Sequence, residues 1–153
     1  MSESIKKRLE EVLTAAGACG CVECGKCVAV CPMVEMYADF GWEMSPRGMI
    51  RRALTDDADA LLQDPAIWYC TGCNAGTRVC PEGVSCRDLI QGLRQLAIEA
   101  GMASRIRNCV ICGAPFASLP VDDFVRKRLN GKTGNYLETC SACRQRRYAQ
   151  RNA

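Results

Sequence analysis

The chain is rich in one soft metal ligand and empty of another, with 13 cysteines and no histidine. Cys21, Cys24, Cys27 and Cys31 stand two, two and three residues apart, and Pro32 follows. This spacing suits an iron–sulfur cubane. Three thiolates at two-residue intervals wrap one face of the cluster, and the amides between them reach its sulfides. The fourth thiol points away toward a neighbouring cluster. A zinc knuckle needs only one Cys-x2-Cys pair, so the full run with its proline argues for iron and sulfide.

A second run, Cys70, Cys73 and Cys80-Pro81, repeats the pattern with Gly76 where a third cysteine is expected. In two-cluster proteins the last cysteine of each run serves the other run's cluster. The first cluster is therefore expected on Cys21, Cys24, Cys27 and Cys80. The second is expected on Cys31, Cys70 and Cys73, one thiolate short of four irons. Three outcomes stay open. Cys86, at the head of a helix, supplies the fourth ligand; the corner iron is missing and the cluster is [3Fe-4S]; or that iron is held by water, substrate or a partner. An extra cysteine so near a missing one favours Cys86, the plain alternative being a small buried hydrophobe. Cys19 precedes a complete run and reads as a bystander.

Near the C-terminus, Cys109-x2-Cys112 and Cys140-x2-Cys143 form two knuckles 27 residues apart. Together they make a tetrahedral four-thiolate site, expected to hold zinc, with a rubredoxin-like iron as the alternative. Gly113 suits the tight turn of the first knuckle. Such a site lends folding energy to a tail too short to build its own core.

The elements that position these cysteines read as mainly helical. Apolar periodicity and capping signals predict helices over residues 4–16, 46–54, 57–63, 85–100 and 122–129, the last ended by Gly131. Ser45-Pro46 is a cap followed by proline at the first helical position, and Ser85 with Asp88 forms a capping box. No strand pattern precedes residue 105. Two domains are expected: 1–104, a helical iron–sulfur domain, and 105–153, a four-cysteine, zinc-ribbon-like metal domain.

The formal charge of +3 treats every thiol as neutral. Each four-thiolate centre brings a net charge of about −2, so two clusters and a zinc take the loaded protein to roughly −3. The basic balance thus offsets anionic centres and is weak support for nucleic acid binding. The basic stretch Arg144-Gln145-Arg146-Arg147 reads as a solvated helix before it reads as a nucleic acid contact. No apolar run is long enough to span a bilayer, and no signal-peptide core follows the first charges. The expectation is a cytoplasmic protein with reduced thiols. Gly-rich phosphate loops are absent, so any flavin belongs to a partner.

Helices join the two cysteine runs, and between them stands Ser45-Pro46-Arg47-Gly48-Met49-Ile50-Arg51-Arg52-Ala53-Leu54. Ile67-Trp68-Tyr69-Cys70-Thr71-Gly72-Cys73, Cys80-Pro81-Glu82-Gly83-Val84 and Asp88-Leu89-Ile90 follow. Over roughly residues 15–101 this resembles the C subunit of heterodisulfide reductase, whose helical ferredoxin module also occurs in the iron–sulfur subunits of glycolate oxidase and succinate dehydrogenase. The resemblance implies an electron-transfer subunit of an oxidoreductase complex that performs no bond chemistry itself. Its partners would be flavin- or cluster-bearing subunits and a cysteine-rich catalytic subunit. The succinate dehydrogenase relative carries a three-iron cluster, but it lacks the counterpart of Cys73 and keeps a cysteine at the counterpart of Gly76. This chain does the reverse. Two alternatives accompany the relay: an open iron acting on a disulfide or sulfur substrate, and an iron–sulfur or zinc sensor binding nucleic acid through the C-terminal domain.

Overall fold

A computed structural model describes residues 3–130, 132 and 134–151. The chain divides into two compact units, Met1–Ser104 and Arg105–Ala153.

The first unit is helical: α1 (Glu3–Ala15), α2 (Lys26–Ala29), α3 (Met33–Met36), α4 (Pro46–Thr55), α5 (Ala58–Gln63), α6 (Ala75–Val79) and α7 (Cys86–Glu99). Side-chain caps start α4, α5 and α7 by satisfying amides that have no partner within the helix. Ser45 Oγ accepts from Gly48 N at 3.0 Å and donates to the Trp42 carbonyl at 2.8 Å. Asp57 accepts from Asp59 N and Ala60 N at 3.0 and 3.3 Å. Ser85 Oγ accepts from Asp88 N at 3.2 Å, which starts α7 with Cys86 as its first residue. Asp64 ends α5 and opens the 3-10 turn Pro65–Trp68, accepting from Ala66 N at 2.6 Å. Arg52 pairs with both Asp56 and Asp64, tying α4 to that turn.

The core gathers Met49 from α4, Leu61 and Leu62 from α5, Ile67 and Trp68 from the turn, and Leu89, Ile90 and Leu93 from α7. Helix α1 lies along α7, burying Leu9. Gly92 permits their close approach, because a Cβ there would stand 2.5 Å from Val12 Cγ1. The five helices expected from periodicity all occur, shifted by up to three residues at their ends. The short helices α2, α3 and α6 carry no periodic signal, because four or five residues are too few to display one. Gly131, read as the stop of the fifth helix, lies outside the described residues.

In the second unit, β1 (Ile106–Asn108) pairs antiparallel with β2 (Pro115–Ser118), with a register shift between Arg107 and Asn108. Helices α8 (Leu119–Arg128) and α9 (Ser141–Arg151) follow. Asp122 is buried and pairs with Arg107 at 2.7 Å and Arg126 at 2.8 Å, joining β1 to α8. No helix among the described residues is long and apolar enough to cross a membrane.

Candidate functional site

All thirteen cysteines carry free thiols. Eight of the helical unit's cysteines line two adjoining recesses. Cys21, Cys24, Cys27 and Cys80 line the first, with Arg47, Ile50 and Val84. Cys31, Cys70, Cys73 and Cys86 line the second, beside Met33, Met44, Met49 and Ile90. Cys27 and Cys86 border both. Cys19 is exposed and lines neither.

Local backbone geometry presents these sulfurs. Gly72 N donates to Cys70 Sγ at 3.4 Å, and Val84 N donates to Cys80 Sγ at 3.3 Å. Amides aimed at sulfur favour the thiolate. Burial acts in the opposite direction. It pushes the thiols of Cys27, Cys31 and Cys70 up, and that of Cys86 well up, with the other thiols of the second recess adding to the rise at Cys86. A group of part-buried thiols that cannot ionise together without added positive charge is a fit for an iron–sulfur cluster, whose irons supply that charge.

Gly76 lies on α6, which packs against α2, and a Cβ there would meet Cys27 Cβ at 3.0 Å. The missing cysteine therefore coincides with a tight helix contact. Cys86 lines the same recess, buried at the head of α7.

Arg94, also on α7, contacts the backbone of Cys70, which lines the second recess. Its Nε donates to the Ile67 carbonyl and its Nη2 to the Cys70 carbonyl, each at 2.7 Å, and its guanidinium lies 5.6 Å from the Trp68 ring centroid. Burial lowers its pKa, yet a guanidinium remains charged. Among the described residues no carboxylate pairs with it. Nearby Tyr37 is held neutral, pushed up to about 12 by burial. Cysteine spacing gives no hint of Arg94. Its signal in the sequence is a charge on an apolar face, four positions after buried Ile90 and three before buried Ala97. Arg47 lines the first recess, stacks over Trp42 at 4.9 Å and donates to the Glu23 carbonyl at 3.2 Å.

The second unit's thiols behave differently. Cys109, Cys112, Cys140 and Cys143 converge to within 4.8 Å of one another, the one such group among the described residues. Cys112 Sγ and Cys140 Sγ are 3.8 Å apart. Four thiolates around one zinc at about 2.3 Å would be roughly 3.8 Å apart, so the donor set fits a single ion. The first pair sits in the turn between β1 and β2, where Gly113 takes φ 71°. The second pair flanks the start of α9, and Phe116 packs against the group. Cys140 N donates to Cys109 Sγ at 3.3 Å and, with further donors, holds that thiol down at about 6. Cys143 is pushed up to about 12, chiefly by burial and then by hydrogen bonds to the other three thiols. The Arg144 guanidinium is engaged locally, on the Tyr136 ring at 4.2 Å and its carbonyl at 3.2 Å.

Residues 17–84 match the 4Fe-4S dicluster domain family, a range that contains both cysteine runs and stops short of Cys86. The chain is 32% identical over 135 residues to the C subunit of the ferredoxin:CoB-CoM heterodisulfide reductase of Methanosarcina mazei, covering 84% of this chain and 76% of that protein. The chain belongs to the family of heterodisulfide reductase C subunits. A protein of Archaeoglobus profundus, described as similar to the heterodisulfide reductase C subunit, is 32% identical over 98 residues, covering 62% of this chain and 50% of that one. The C subunit of the H(2):CoB-CoM heterodisulfide,ferredoxin reductase of Methanothermobacter thermautotrophicus is 30% identical over 110 residues, covering 70% and 57%. The chain thus spans about half the length of these last two relatives. As a member of this family it is an iron–sulfur electron-transfer subunit.

Proposed function

We propose that the chain relays electrons through two [4Fe-4S] clusters inside a heterodisulfide reductase-like oxidoreductase complex of the cytoplasm. The first cluster would be held by Cys21, Cys24, Cys27 and Cys80, and the second by Cys31, Cys70, Cys73 and Cys86. Cys109, Cys112, Cys140 and Cys143 would hold a structural zinc in a second domain, 105–153. The observation that carries this reading is Cys86, buried at the head of α7 and lining one recess with the three thiols that lack a fourth partner. It favours a saturated relay cluster over an open iron and over a three-iron centre.

The clusters supply one-electron chemistry when bound. The chain's own residues hold them by thiolate, aim the Gly72 and Val84 amides at ligand sulfur, and surround the second recess with apolar side chains that limit water. The shared border at Cys27 and Cys86 keeps the two sites adjacent, as electron transfer between them requires. Partners would be a flavin- or cluster-bearing donor subunit and a cysteine-rich catalytic subunit.

Anaerobic affinity isolation of the full chain from its native cells tests this. Stoichiometric recovery of flavoprotein and cysteine-rich subunits, with both clusters reduced on adding the flavoprotein's electron donor, is the expected result. Recovery alone, combined with salt-sensitive binding to nucleic acid, would contradict it.

A further inference from the structure

Arg94 places a part-buried positive charge on the backbone of Cys70, a thiol of the second recess, and no acid pairs with it among the described residues. Its hydrogen bonds go to two main-chain carbonyls, one of them that of Cys70. A part-buried charge without a counter-ion is costly to hold. Arg52 shows how the same unit treats another part-buried arginine, giving it Asp56 and Asp64. The asymmetry asks what balances Arg94.

Cys70 lines the second recess, and the Arg94 charge acts on its thiol. Resting on the proposal that Cys31, Cys70, Cys73 and Cys86 hold a cluster there, we infer that Arg94 is the internal counter-cation of the second cluster and raises its reduction potential. A four-thiolate [4Fe-4S] group carries about −2 when oxidised and about −3 after accepting one electron from the donor protein. No proton or other reactant enters. A fixed cation close to the cluster stabilises the more negative state, which moves the potential up. The two hydrogen bonds clamp Ile67 and Cys70 to α7, so the charge and the ligand keep a constant separation. Arg87 lines the same recess but is exposed, and solvent screens its charge.

The test is an anaerobic redox titration followed by electron paramagnetic resonance on the intact, cluster-loaded chain. Wild type, Arg94→Gln, Arg94→Lys and Arg87→Gln are compared, with Cys73→Ser identifying the second cluster's signal and iron content measured throughout. Arg94→Gln should lower the second cluster's potential and leave the first nearly unmoved. Arg94→Lys should retain most of the wild-type value, and Arg87→Gln should shift it less than Arg94→Gln does. An unchanged potential in Arg94→Gln would overturn the inference, as would a shift in Arg94→Lys as large as that in Arg94→Gln. So would loss of the second cluster from both Arg94 variants, which would make the residue a structural clamp. A wild-type protein without any second cluster would instead sink the ligand assignment on which the inference rests.

Discussion

In the unit Arg105–Ala153, four thiols converge until Cys112 and Cys140 are 3.8 Å apart, whereas in Met1–Ser104 the thiols stand around two recesses. Both units use Cys-x2-Cys. The local turn is therefore not what sets the size of the centre. What differs is the element that carries the completing thiols. In the smaller unit, a strand turn and a helix start bring two pairs face to face, leaving room for one ion. In the helical unit, the short helices α2 and α6 and the head of α7 hold the thiols apart around a volume that suits a polynuclear cluster. The electrostatics follow. A single ion would satisfy thiols already coupled by hydrogen bonds, while the second recess has a part-buried guanidinium on the backbone of Cys70.

The largest effect that would sharpen this contrast is loss of the single ion. Structural zinc contributes about 10 kcal/mol or more to the folding of small domains. Cys140→Ala, or a strong zinc chelator, should therefore unfold residues 105–151 and leave both cluster signals intact. Hydrogen exchange measured alongside cluster absorbance checks this. Loss of protection in α7 as well would break the comparison.

Gly76→Cys would restore the full ferredoxin spacing in sequence. The structure predicts the opposite of a rescue, because the new Cβ meets Cys27 Cβ at 3.0 Å. Overpacking costs about 1 to 3 kcal/mol, so thermal denaturation should show a lower midpoint and iron analysis no additional iron. Gly92→Ala, outside either recess lining, should cost about 2 kcal/mol through its clash with Val12. Its cluster spectra should match wild type, which separates a packing defect from a ligand defect.

The smallest effect concerns pH. Cys143, pushed up to about 12, is protonated at neutral pH and must release its proton to bind the ion, whereas Cys109, held at about 6, is already ionised. Metal uptake thus releases protons, and affinity falls as pH falls by about 1.4 kcal/mol per pH unit for each proton displaced. Below about pH 6 the slope should steepen as Cys109 protonates too. Zinc competition titrations from about pH 5.5 to about pH 8 would show this.

Much of the molecule is legible in its sequence because cysteine spacing is a chemical statement that survives any fold. The capped helices at Pro46 and Cys86 are readable because Ser45 and Ser85 advertise their starts. The helices α2, α3 and α6 are not, since their conformation is imposed by the turns that present the thiols. The packing reason for Gly76 needs three dimensions, because it depends on Cys27, 49 residues earlier in the chain. Arg94 is visible as a charge on an apolar face, but its relation to Cys70 comes from a carbonyl contact that no spacing rule anticipates.

Completion of the second cluster by the Cys86 thiol distinguishes a saturated relay from a vacant corner. Electron paramagnetic resonance on anaerobically isolated protein, oxidised and then reduced, tests it in wild type and Cys86→Ser. Two reduced four-iron signals are expected in wild type, one of them lost or converted by the substitution. A three-iron signal in oxidised wild type, unchanged in Cys86→Ser, would contradict it and leave the corner near Gly76 vacant.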